Sequence, residues 1–468
     1  MSRRSVSVSV LLVVVGFSGS LFGQGPLRGG LPSDAMLGRL GLQRAWWAYA
    51  SLDSLRDRVK YFTSDEQVTL LQSATGMVTA FDNATGHRRW SVQVGSVTEV
   101  RFQAVTNEQL VVIVSGVTMY ALDKRSGDVA WQVRIPTAPS TAPGLDDSRA
   151  YVGSVDGIVY AYDLKFLDRL LKNPQLSGEM FRSLAWQYKT GARIVVPPVS
   201  TGTVVIIASA DSSLYGLTAK DRSLRFQFES DRPLSAPITQ LGNLIVVATE
   251  DRKAYCLNAD TGALKWERRS VFQLRQSPRV VGDHVFLWME EYGLGCFSVA
   301  TSRELWSNPR AVGFLSATPA LVYASDSQGN VLLLNQTDGR QIGAFSMREF
   351  PIRIANERTD RLYFASEHGL IVCIRERERD VPLFHKNPEK RPVLPEVAPD
   401  EQDKSAAAKK PAAGSKKKAD TGEAGAEEKK EGGETAPATE ETENAATSKP
   451  GTSKVVKPPA KPAKPDDQ

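Results

Sequence analysis

Five tryptophans close variants of one phrase: FDNATGHRRW at Trp90, LDKRSGDVAW at Trp131, a split YDLK…SLAW at Trp186, LNADTGALKW at Trp266 and FSVATSRELW at Trp306. A phrase that returns at near-constant spacing marks a repeat array, whose units bury their apolar faces only against their neighbours. Taking the residue eight positions before each Trp, or its equivalent, as an anchor gives Asp82, Asp123, Asp163, Thr218 (with Phe226 in place of Trp), Asn258 and Ser298. Asn335 and Arg375 follow as degenerate copies. The anchors step by 41, 40, 55, 40, 40, 37 and 40 residues, and fifteen extra residues between Asp163 and Trp186 explain the one long step.

Each unit reads as four short strands. Apolar runs such as Leu110–Val114 and Thr118–Leu122 flank a polar turn, and a Thr-Gly or Ser-Gly turn then leads into the Trp strand. Gly86, Gly127, Gly262 and Gly339 fall where that turn needs a positive φ. Eight units of four strands predict an all-β, eight-bladed propeller over residues 59–380. The eighth copy stops after Leu370–Ile374 without a Trp strand of its own. A closed ring leaves no bare edge only if the chain's other end supplies that strand, and Arg44–Leu52 (RAWWAYASL), within the segment 24–58, is the candidate. The repeated Trp reads as a packing knob, because a ligand needs an aromatic once and not in every blade.

Outside the array the chain is of a different character. Residues 1–23 combine Arg3 and Arg4, an apolar run and small residues, the pattern of a cleaved export signal; an uncleaved anchor is the alternative. No cysteine follows it, so lipoprotein attachment is not expected. Residues 388–468 lack aromatics and, from Glu401, carry 13 Lys against 13 Asp plus Glu. That composition predicts a disordered, near-neutral tail, preferred as a solvated segment over a tether whose lysines touch anionic polymer. The net charge of +5 on the whole chain does not argue for specific nucleic-acid binding.

Cys256, Cys296 and Cys373 all sit two residues before an anchor, each on a different blade, and read as free, inert thiols in small buried positions. His87, His284, His368 and His385 are scattered and read as surface residues near turns. No GxSxG, HExxH, Walker-type loop or CxxC is present. Catalytic, cofactor and metal residues are therefore assigned to none.

Two arrangements remain as candidate sites. Lys60, Arg101, Arg275 and Arg353 occupy similar positions where the chain enters a blade, with Arg193 close by; they could ring the channel and hold an anion, or face water singly. Phe166, Leu167, Leu170 and Leu171 stand at helical spacing in the insert, ahead of Pro174. That stub either covers blade three, the preferred reading, or offers a docking face to a partner.

The [VL]YA[LY]D-x-x-[TS]G-x-x-x-W pattern over about Tyr61 to Arg375 resembles the tryptophan-docking repeat of the pyrroloquinoline-quinone (PQQ)-like propeller superfamily. That superfamily includes PQQ-dependent alcohol dehydrogenases and the outer-membrane assembly protein BamB. In the enzymes the resemblance implies a quinone held between a Trp and an adjacent-cysteine disulfide ring, above calcium. Here there is no Cys-Cys pair, no CxxCH and no residue-by-residue match to a calcium site. The expectation is a monomeric, BamB-like, non-catalytic scaffold in the periplasm or envelope, binding envelope proteins without a cofactor. The alternatives are a quinoprotein dehydrogenase using PQQ with calcium, or another small-ligand enzyme, and a wall-associated adhesive module.

Overall fold

Every anchor found in the sequence is the last or next-to-last residue of a third strand. The computed structural model describes residues 30–53, 55–172 and 182–390. The proposed export signal, the tail beyond residue 390 and Pro174 lie outside the described residues. Third strands close at Asp82, Asp123, Asp163, Thr218, Asn258, Ser298 and Asn335, and the eighth at Glu376, one residue beyond its anchor. The strands form eight four-stranded antiparallel sheets, seven of them from consecutive segments. Each sheet is a blade with its inner strand at one edge and, in six of the eight, the repeat Trp on the outermost strand.

The eighth sheet joins the two ends of the array. Ile352–Arg353, Leu362–Ala365 and Leu370–Glu376 take their fourth strand from Leu42–Tyr49, which pairs antiparallel with Leu370–Glu376 and sets Trp46 opposite Cys373. The closing strand expected at Arg44–Leu52 starts two residues earlier and ends at Tyr49; Ala50 and Leu52 follow it as buried residues outside the strand. A short helix, α1 (Asp34–Arg39), precedes it. Its Ser33 hydroxyl accepts from the Met36 amide at 3.3 Å, and Leu37 is fully buried in the core between blades seven and eight.

Burial explains the sequence pattern strand by strand. Second and third strands are covered on both faces by adjacent blades, so most read as continuous apolar runs: all five residues of Val204–Ala208 are buried. Outer strands have one wet face, and in Arg88–Gln93 only Trp90 is buried. The core is thus a succession of clusters between neighbouring blades, each mixing residues from two sheets.

The tryptophans hold those seams. Each indole lies on the third-to-outer turn of the next blade and donates its Nε1–H to the carbonyl just after that blade's anchor. Trp90 reaches Lys124 at 3.0 Å, Trp186 Ala219 at 2.9 Å, Trp266 Val299 at 2.8 Å and Trp306 Gln336 at 2.8 Å. Trp46 completes the ring by donating to Asn83 of blade one at 2.8 Å. The turn glycines do two jobs. Gly86 and Gly127 have φ of +72° and +80°, and a Cβ on either would lie 2.6 Å from the Trp46 or Trp90 ring. Arg222 and Ser302 take the same positive-φ position without being glycine.

Trp131 breaks the rule, and the insert is the reason. Its indole is buried with no acceptor. The residue after the blade-three anchor is Leu164, which opens helix α2 (Leu164–Lys172) where other blades place a turn. That carbonyl belongs to the first turn of a helix, and the indole finds nothing in its place. The helix folds back over the seam between blades two and three: Leu167 and Leu170 are buried in the cluster that holds Trp131 and Val133 of blade two with Tyr160 and Tyr162 of blade three, and Phe166 packs against it. The Leu171 side chain lies outside the described residues.

The three cysteines are free and fully buried, opposite Trp266, Trp306 and Trp46 in their sheets. Burial pushes their thiols up to about 11 for Cys256 and about 12 for Cys296 and Cys373.

Candidate interaction site at the channel mouth

The hairpins joining inner to second strands gather at one end of the ring around its axis, and four of them share a design. Asp65, Asn107, Asp146 and Asn356 each fold their side-chain oxygen onto two backbone amides that follow, at 2.7–3.1 Å. In all four the next residue is an acid: Glu66, Glu108, Asp147 and Glu357. These hairpins line a cavity of about 610 Å³, together with Ser200–Gly202 and Gln240–Gly242 of two further blades and Lys386 and Asn387. Glu108 and Asp147 are exposed there.

Some of this charge is tied up between blades. Lys124 of blade two reaches Asp65 of blade one at 2.6 Å, with both side chains buried. Burial alone would raise the Asp65 carboxyl, but Lys124 and the two turn amides outweigh it and hold the group below the usual range. Arg358 of blade eight binds both oxygens of Glu66 at 3.2 Å. The mouth is a polar bowl with more acids than bases, suited to hydrogen-bond donors and cations and unfavourable to a multiply charged anion. The repeated Asx-acid pair was visible in the sequence, but it lies in turns, outside the apolar runs and Trp phrase that set the register.

The five cations read as a channel ring stand at the other end, where strands enter, and they do not act together. Arg101 is buried. Its guanidinium donates to the Ala74 and Glu99 carbonyls at 2.8 and 3.1 Å and also to Ser96, clasping a hairpin of blade one to the segment entering blade two. Arg353 repeats the clasp one seam before closure, donating to Gly329 at 2.7 Å and Phe350 at 3.2 Å. These two arginines are structural, because the carbonyls of two turns converge there and need donors. Lys60 lies 3.4 Å from the Arg101 carbonyl, Arg275 pairs with Glu290 at 3.7 Å, and Arg193 is exposed. Two histidines read as surface residues are also partly buried, His284 in a second strand and His385 against the channel mouth.

Among the described residues no three Asp, Glu, His or Cys side chains converge on a common metal position. Of the six repeat indoles, five are hydrogen-bonded into the next blade and Trp131 is buried under α2. No helix among the described residues is long and apolar enough to cross a membrane.

Known proteins agree with the fold. The crystal structure of BamB from Moraxella catarrhalis superposes with a TM-score of 0.55 at 17% identity, covering 71% of this chain and 97% of that one. A computationally designed protein, Ika8, superposes at 0.52 and 12% identity, covering 69% of this chain and 98% of its own. A search of curated proteins finds no match. A family model described as outer membrane protein assembly factor BamB matches residues 74–170 and 225–377, leaving out residues 171–224, which include the outer strand of blade three and most of blade four. With more than half of its length matched, the chain belongs to that family of PQQ-like repeat propellers.

Proposed function

We propose that this protein is an exported, non-catalytic scaffold that binds other proteins of the cell envelope, in the assembly setting that the family description names. The observation that carries the reading is the use made of the repeat's aromatic residues. Their rings and nitrogens bind blade to blade, so the feature that the sequence shares with quinoproteins supports the ring and supplies no stacking slot. A scaffold needs what remains: a rigid ring with polar hairpins presented at one end.

The test is affinity capture from envelope extract with the full chain and with a chain ended at Lys390. Recovery of the same envelope proteins by both supports a scaffold that works through the propeller. Calcium-dependent reduction of an artificial acceptor with alcohols or sugars, after PQQ is added, would overturn the reading.

A further inference from the structure

We propose that residues 378–387 are a strap that locks the ring a second time, from the channel side, so that closure rests on an inner latch as well as on the closing strand. The family match ends at residue 377, so the strap belongs to this chain beyond the shared repeat.

The chain reaches it from the last third strand. Arg379 turns back on Glu376 through its backbone amide at 3.2 Å, and Arg361 of blade eight donates to the Arg379 and Asp380 carbonyls at 3.0 and 2.7 Å. Phe384 then bridges Thr359, and the Leu383 amide donates to the Asp360 carboxylate at 3.1 Å. From there the strap leaves its own blade. His385 donates its backbone amide to Arg358 at 2.8 Å and sets its ring Nε2 3.1 Å from the Ala317 carbonyl of blade seven. Lys386 reaches Glu357 at 2.7 Å, a carboxylate that also faces Arg279 of blade six at 4.0 Å. Asn387 donates to Glu66 of blade one at 2.8 Å.

Glu66 is where the latch engages. Its side chain is 6% exposed and takes donors from Arg358 of blade eight and from the strap, the two sides that must meet for the ring to close. Residues 66 and 358 are far apart in sequence, so the contact exists only in the closed ring. The closing strand works elsewhere: it pairs along the outer edge of blade eight, and Trp46 holds the outer part of the same seam. A buried carboxylate with two donors is costly to leave unmatched, which ties the inner seam to one geometry.

Hydrogen exchange on the full chain tests this. Glu66→Ala should raise amide exchange at least tenfold in the hairpins around residues 64–68 and 356–361 and in the strap. Exchange across Leu42–Tyr49 and Leu370–Glu376 should be unchanged. Unchanged exchange in the hairpins and strap, or equal opening of the closing strand, overturns an independent inner latch. If Glu66→Ala does not fold, Asn387→Ala removes only the strap's contact and should raise exchange severalfold over residues 381–387; no change there overturns the proposal.

Discussion

Removing one ring nitrogen should distinguish two tryptophans that the sequence writes alike. Trp90→Phe deletes a 3.0 Å hydrogen bond and orphans the Lys124 carbonyl, whereas Trp131→Phe deletes a nitrogen that has no partner. Ring shrinkage is common to both, so Trp90→Phe should cost about 1 kcal/mol more in urea denaturation. An equal or larger loss at position 131 would contradict the account of the insert. Arg101→Gln carries the correction to the cation ring. A solvent-facing arginine would be almost neutral, but this buried clasp should cost about 1–3 kcal/mol and lower the melting temperature. Sequence alignment placed Arg101 and Arg353 in one column correctly. It could not say whether that column faces water, because burial there depends on two turns folding over it.

At the scale of elements, the closing strand and α2 show what a repeat can and cannot announce. The strand was legible because a count of eight units left one short by a Trp strand, and an unpaired edge needs a partner. Deleting residues 24–52 should therefore bare Leu370–Glu376 along its length, remove the Trp46 knob and cause aggregation or a lower melting temperature; an unchanged melt would refute the closure. Helix α2 was legible as helical spacing, but its place over the seam between blades two and three, where Leu167 and Leu170 are buried, was not. Its consequence for Trp131 was not legible, since losing an acceptor in the next blade is a tertiary event. The strap was missed for a related reason. Residues 378–387 have no repeat, no apolar period and no turn signature, and their polar side chains are ordered only by partners in blades one, seven and eight.

The whole molecule should weaken in acid in two stages. Burial lowers His385 below its ordinary value of 6.5 despite the nearby Asp360 and its bond to the Ala317 carbonyl, and burial likewise lowers His284 against Asp283. For a folded value below the unfolded one, the unfolded chain takes the proton first, so stability is lost as pH falls from about 6.5. Asp360, raised by burial, acts in the opposite sense: its native state binds the proton more readily, and the cost of its charge is relieved on acidification. Asp65 and Glu357 act later. Burial would raise both, but Lys124, and Lys386 with Arg279, override it and lower them, so their stabilisation is lost below the ordinary carboxylate range. Melting followed from pH 8 to 3 should show both stages, and His284→Gln with His385→Gln should remove the first. A first stage that survives the double substitution would assign it to other groups.

The period, the number of blades, the seam-holding tryptophans and the need for a borrowed strand all follow from local spacing and from the rule that apolar faces and sheet edges must be covered. The character of the two ends came only with closure of the ring. One became an acidic, hairpin-lined mouth crossed by a strap, and the other a place where arginines clasp carbonyls in place of ligands. Periodicity records which face of a strand is dry. What a charged side chain does at a turn depends on the donors and acceptors that closure of the ring brings beside it.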